Sequence, residues 1–305
     1  MRGRQAPRAG APRRRAASTA VHSPPEPFRA DRCAVLRETK SPAGPVILTS
    51  DLLARAGFRH AFSTRLGGVS DAPFDSLNLQ SVQANARIAE GEPRDSDANI
   101  RENHARFALA AGLPRDATVV DVSQVHGCTV VAARDATATR VAADAITSVR
   151  GGNAILIRVA DCVPILLADP ATGAVAAVHA GWRGVVAGVV PAAIDALRAI
   201  GVDARNIIAA VGPSISARHF EIGPEVADEL ARADLAPCVV APGVHGPKHH
   251  ADLVRGVRLQ LERAGIAPAQ IDAEPPCTYA DRARFHSFRR DGARSGRLAA
   301  LIAPR

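Results

Sequence analysis

Three apolar runs follow one another closely: AILIRVA (154–160), VPILLAD (163–169) and AVAAVHA (174–180). Each is short, rich in branched side chains and continuous rather than alternating, the pattern of a strand covered on both faces. Such strands need covering layers, and the rest of the chain offers them. SDLLARAG with Ser50 as its N-cap, DANIRENHARFALAAG, PEVADELARA and HADLVRGVRLQLERAG all read as helices. Residues 184–200 also read as helical, and because an interior proline costs about 3 kcal/mol, Pro191 marks a kink or the true first turn. HAFSTRLGGVS, IIAAVGPSIS and RLAALIA supply further strands, while ATVVDVSQV and CTVVAA, separated by His126-Gly127, read as a hairpin with the histidine at its bend. With neither a repeat nor a linker after residue 46, the expectation is one α+β catalytic domain spanning 47–305.

The net charge of +8 suggests a polyanionic partner only if it is spread over the fold. It is concentrated instead: residues 1–45 hold ten basic and three acidic side chains, and the remainder 28 basic and 27 acidic. Residues 1–46 therefore read as a disordered Arg/Pro/Ala-rich leader. Its composition is like that of an organellar transit peptide, but prolines 7, 12, 24, 25 and 27 oppose a long amphipathic helix, and a misassigned start codon explains it equally well. The folded part is expected to bind no nucleic acid. There is no secretory apolar region, and Arg158 and Asp161 interrupt the longest apolar stretches, so a membrane span is not expected. Five scattered cysteines without a CxxC fit a reducing compartment, and the expected location is cytoplasmic. The protein is expected to act as a monomer.

His126, Cys162 and His179 all fall at ends of strand-like runs, where a rigid scaffold can bring distant side chains to one point. A thiolate and two imidazoles suit Zn²⁺, and three protein ligands leave a fourth position for water or substrate. Separations of 36 and 17 residues match no short metal motif. On chemistry alone three readings stay open: a metal site, a Cys-His nucleophilic pair, and ordinary packing.

The motifs QVHG, ADCVPILLADP, VHAGWRG, GPSIS with HFEIGPEV, and CTYADRARFHSFRRDGARSGRLAALI occur in one order, preceded by FSTRLGGVS and FDSLNL. Together they resemble the laccase-domain, YfiH-type family, over roughly residues 47–303. The resemblance implies an α+β fold of layered mixed sheets with flanking helices, related to a bacterial toxin deamidase that uses Cys and His. It places zinc ligands on His126, Cys162 and His179. It also implies purine nucleoside phosphorylase activity on adenosine, inosine, guanosine and methylthioadenosine with phosphate, together with adenosine deaminase activity.

Those reactions assign roles to further residues. Phosphate calls for arginine, whose planar fork pairs two oxygens at once, and Arg65, Arg183 and Arg289 are the candidates beside flexible or motif positions. Cys162 and Arg183 are assigned to catalysis, and Asp161 or Glu221 to proton transfer. Trp182, Phe62, Phe285 and Phe288 are candidates to stack on a purine, with core packing as the alternative for each Phe. His286 is read as a ligand, a substrate contact or a surface residue, and His249-His250 as a solvated pair. Asp144, Gly212, Pro213 and Asp252 are expected to shape the site rather than react.

Alternative functions remain. A copper-dependent polyphenol oxidase needs many histidines, usually as HxH pairs, and this chain has ten histidines and no HxH, although its soft ligands can bind copper in vitro. A metal-free cysteine hydrolase would use Cys162 as nucleophile and His179 as base. A non-catalytic nucleotide sensor would bind without turnover.

Overall fold

The three apolar runs form strands Ala154–Val159, Val163–Ala168 and Val175–Ala180, buried throughout. They do not share one sheet. Ala154–Val159 belongs to a first six-stranded sheet, in the spatial order Arg37–Lys40, Val46–Thr49, His60–Ser63, Leu298–Ile302, Ala154–Val159, Val119–Asp121. The other two runs belong to a second, ordered Ile271–Asp272, Ile208–Val211, Val163–Ala168, Val175–Ala180, Ala145–Ser148, Val130–Ala132. Both sheets are mixed, since Val119–Asp121 pairs parallel with Ala154–Val159 while Leu298–Ile302 pairs with it antiparallel. A small third sheet joins Glu221–Ile222, His249–Ala251 and Val239–Val240. This computed structural model describes residues 36–136 and 141–305 together with Gly3, and Arg32–Arg305 form one compact unit.

Side-chain alternation explains why the runs are apolar on every residue. Ile155 and Ile157 face Leu166, Ala177, Phe62 and Phe285 in a core between the two sheets. On the outer face of the first sheet, Ala154 and Leu156 pack with Phe107 of helix Asp97–Ala110. On the outer face of the second, Val163, Ile165 and Leu167 meet helices Val189–Ala199, Pro224–Arg232 and Leu253–Arg263. The result is a helix, sheet, sheet, helix layering, in which each strand is hidden on both sides. Burying a side chain such as Phe62, 1% exposed, contributes roughly 2–3 kcal/mol.

Local signals act as their chemistry requires. Ser50 Oγ accepts the Leu53 N–H and caps helix Asp51–Arg55. Pro191 lies in the first turn of Val189–Ala199, where a missing N–H costs nothing, and Gly188, at φ 82°, lies between this helix and the preceding short helix Trp182–Val186. Asp252 caps Leu253–Arg263 by accepting the Arg255 N–H at 2.9 Å.

Two expectations need correction. The hairpin around His126-Gly127 does not form: Val119–Asp121 joins the first sheet and Val130–Ala132 the second, parallel to Ala145–Ser148. The cause is Asp144, whose carboxylate accepts the N–H groups of Val125, His126 and Gly127 at 3.3, 2.9 and 2.6 Å. The N–H groups at the expected bend are held by a buried side chain, and the segment runs from one sheet to the other instead of folding back on itself. The leader boundary also moves, because Arg37–Lys40 already pairs antiparallel with Val46–Thr49. Of residues 1–46, positions 1–2 and 4–35 lie outside the described residues.

Among the described residues, no helix is long and apolar enough to cross a membrane.

Candidate active site

The first sheet passes to the second through a tight turn at Ala160–Cys162, between strands Ala154–Val159 and Val163–Ala168. Asp161 takes φ 92° there, a conformation that costs a non-glycine residue on the order of 1–3 kcal/mol. Its buried carboxylate accepts the Thr278 hydroxyl and the Arg289 N–H, each at 2.6 Å, and its carbonyl accepts the Ile215 N–H at 2.9 Å. Three separate segments therefore hold the turn that presents Cys162.

His179 comes from the neighbouring strand, opposite Pro164 across the antiparallel pair. Nearly all of it is buried, and its Nδ1–H donates to Asp144 Oδ1 at 2.8 Å, which leaves Nε2 as the ligand atom. His126 arrives on the loop that crosses from the first sheet to the second, at φ 61°. Its ring meets that of His179 edge-on, with centroids 4.8 Å apart, and its Nε2 lies 4.0 Å from Cys162 Sγ. The ligand atoms of His126, Cys162 and His179 lie within 4.8 Å of one another. Gly181 makes that convergence feasible, because a Cβ there would sit 2.9 Å from His126 Cδ2 and 3.1 Å from Cys162 Sγ.

Electrostatics follow from this packing. Burial pushes the Cys162 thiol up, but the positive charge of His179 and hydrogen bonds from both imidazoles outweigh it, so the thiol falls below its usual range. Burial pushes His179 down, and the Cys162 thiolate and Asp144 together raise it above its ordinary value. Asp144 is also buried, yet His179 and the backbone N–H groups of Gly127 and His126 keep it ionised, below the ordinary carboxylate range. A thiolate with two imidazoles is a soft, borderline donor set that fits a zinc-like ion, and the carboxylate behind His179 fixes the tautomer that such a ligand needs.

The trio opens into a cavity of about 440 Å³. Its lining also includes Gln80, Arg87, Ser123, Gln124, Arg158, Phe288 and Arg297. The Gln124 amide is fixed at both ends, accepting the Arg158 N–H at 2.8 Å and donating to the Arg158 carbonyl at 2.6 Å. Arg158 donates to the Leu79 carbonyl at 2.8 Å and pairs with Asp121.

Several residues singled out in the sequence do not line this cavity. Arg65 pairs with Asp75 at 3.2 Å and lines a separate cavity of about 750 Å³ with Arg282, Arg290 and Arg294. Arg183 is exposed and stacks on Trp182, 4.2 Å from the ring centroid, while Trp182 packs against the outer core. Glu221 pairs with Lys248 at 2.7 Å. Arg289 donates to the Glu221 carbonyl at 3.0 Å and lies over Phe220. Asp161 sits behind the cavity, with both carboxylate oxygens engaged by Thr278 and Arg289. Phe62 and Phe285 are core residues, and among the four aromatic candidates Phe288 is the one at the cavity, 53% exposed. Gly212 packs against Phe62, where a Cβ would clash with the ring.

Two further readings are corrected. His286 is not a surface residue: it is 1% exposed, and burial with the nearby charges of Arg65 and Arg297 holds it neutral. His249-His250 is not a solvated pair, since strand His249–Ala251 is central in the small sheet and His250 is 4% exposed.

Arg87, Arg158 and Arg297 line the cavity without having been found in the sequence. Arg158 carried a signal, a charge within an otherwise apolar buried run. Arg297 carried a fainter one, a charge next to the last strand.

Residues 59–305 match the family described as multi-copper polyphenol oxidoreductase laccase. A Pseudomonas aeruginosa protein named purine nucleoside phosphorylase is 38% identical over 256 residues, covering 84% of this chain and 97% of the relative. Purine nucleoside phosphorylase YfiH of Escherichia coli K12 is 36% identical over 240 residues, covering 79% and 91%. Among solved structures, Neisseria meningitidis protein NMB0706 superposes with a TM-score of 0.68 at 33% identity, covering 90% of this chain and 99% of its own. YlmD from Geobacillus stearothermophilus gives 0.74 at 27% identity, covering 89% and 99%. Sequence and fold agree: the chain belongs to the laccase-like, YfiH-type family.

Proposed function

We propose that this protein is a zinc-dependent purine nucleoside phosphorylase, acting on adenosine, inosine, guanosine and methylthioadenosine, with adenosine deaminase activity at the same site. The observation that carries the proposal is the convergence of His126, Cys162 and His179 in the lining of an arginine-bearing cavity. The names of the relatives from Pseudomonas aeruginosa and Escherichia coli support the phosphorolytic reading.

In phosphorolysis a phosphate oxygen forms a bond to C1′ of the ribose as the C1′–N9 bond breaks. The bonding pair leaves with the purine, which takes up a proton, and the sugar passes through an oxocarbenium-like state. The cavity suits this division of labour. Arginine donors meet the attacking anion, and Phe288 offers an exposed ring to the base. His126, Cys162 and His179 would hold the ion, which when bound supplies Lewis acidity for the departing purine and for water in deamination. Asp144 orients His179 through Nδ1 and anchors the His126 loop.

The test is incubation of zinc-replete protein with inosine and phosphate. Hypoxanthine and ribose-1-phosphate are the expected products, and their absence would overturn the proposal. Cys162→Ala should lose metal and turnover together.

A second reading has one observation in its favour, the lowered Cys162 thiol beside a raised His179. A metal-free cysteine hydrolase would keep full activity in chelator and form an adduct on Cys162. A multicopper oxidase would spread its ions over several groups, and one three-donor group is found among the described residues.

A further inference from the structure

We propose that Arg297 and Arg87 form the anion subsite of the cavity and bind the inorganic phosphate consumed in the reaction. The inference rests on the phosphorylase reading for the identity of the anion.

Three arginines and no carboxylate line the cavity that contains the Cys-His-His trio. A concave wall with one sign of charge selects for anions. Of the three, Arg158 is engaged by Asp121 and the Leu79 carbonyl, which turns it toward a structural task. Arg297 differs. Its Nη1 donates to the carbonyls of Ser295 and Gly296 at 2.9 and 3.1 Å, which fixes one corner of the guanidinium. The Phe288 ring lies against it, 5.5 Å from centroid to Cζ. Nε and Nη2, the edge that fits two oxygens of a phosphate, have no acceptor among the described residues. Neither Arg297 nor Arg87 forms an ion pair with a carboxylate among them. Arg87 is exposed at the same cavity, so it can meet the anion on entry.

Neutral donors complete the subsite. Gln80 uses its Oε1 to accept the Ser81 N–H at 3.2 Å, which leaves the two Nε2 hydrogens as donors. Ser123 lines the same cavity. Phosphate held there would share one chamber with the trio, as attack on C1′ from the side opposite the departing base requires.

The experiment measures phosphate in two ways on the full chain. Isothermal titration with inorganic phosphate, with and without zinc, reads binding directly, and steady-state phosphorolysis of inosine reads KM for each substrate. Arg297→Gln should weaken phosphate binding and raise KM for phosphate about tenfold or more, the loss of a charge-assisted pair of hydrogen bonds, with KM for inosine changed less than threefold. Arg297→Lys should recover part of the binding, because it restores charge without the fork. Arg87→Gln, at an exposed position, should raise KM for phosphate severalfold with the fold intact, which covers the case in which Arg297→Gln misfolds.

Product formation with unchanged phosphate KM in both glutamine variants would overturn the subsite and leave the phosphorylase reading standing. Arginine-dependent phosphate binding with no product from any nucleoside would uphold the subsite and sink the phosphorylase reading.

Discussion

Asp144 and His179 are joined by a 2.8 Å hydrogen bond from Nδ1–H to Oδ1, and the same oxygen accepts the His126 backbone N–H at 2.9 Å. One carboxylate thus sets both the tautomer of one imidazole and the position of the other. Asp144→Asn sets an amide N–H₂ against either the Val125 and Gly127 N–H groups or the His126 N–H and His179 Nδ1–H, so two contacts turn repulsive in either orientation. Zinc affinity should fall about 10- to 100-fold, read by competition with a chromophoric chelator. Wild-type affinity in this variant would mean that the loop keeps its place without the carboxylate.

Gly181 lies where a methyl group would press on His126 and Cys162. Gly181→Ala should lose metal binding and turnover while its circular dichroism and melting curve stay close to those of the wild type. An unperturbed zinc stoichiometry would show that the imidazole can step aside at no cost to the site.

Phe288 is half-exposed at the cavity with Arg297 against its ring. Stacking of a base on an aromatic ring contributes about 1–3 kcal/mol. Phe288→Ala should raise KM for inosine roughly tenfold in initial-rate assays, and an unchanged value would place the base elsewhere in the cavity.

Asp272 is 1% exposed, and burial, aided by the charges of Asp51 and Glu274 and opposed by Ser50, pushes its carboxyl up to about 6. In the unfolded chain it titrates near 3.8, so between those values the folded state binds more protons. Stability should rise as pH falls from above 6 toward 4, because the buried charge is a cost at neutral pH. Asp272→Asn should therefore raise the Tm at pH 8 by several degrees, on the order of 1–3 kcal/mol. The gain should fade as the melts are repeated toward pH 4, and a pH-independent difference would refute the titration.

The strands were legible where burial on both faces left a continuous apolar signature, as in Ala154–Val159 and Val163–Ala168. The helix capped by Ser50 was legible because its cap is local. The fate of the His126 segment was not, since it depends on Asp144, 18 residues away, capturing its backbone. Arg65 and Arg183 sat in glycine-rich motifs that suggested a phosphate cradle, yet the chain directs one to Asp75 and the other onto Trp182. Arg297 went unnoticed because an arginine beside a strand reads as solvated unless the neighbouring cavity is known. Proximity in sequence reports local geometry, and this cavity is built from segments that meet only after the two sheets have stacked.

Cys162 and His126 both stand where the chain steps from one sheet to the other. Any slippage of one β-layer over its neighbour would pull the donors apart, so the affinity of the proposed metal site would act as a strain gauge for the hydrophobic filling between them. A trimmed side chain at Ile157 or Leu166, far from any ligand, would register there first.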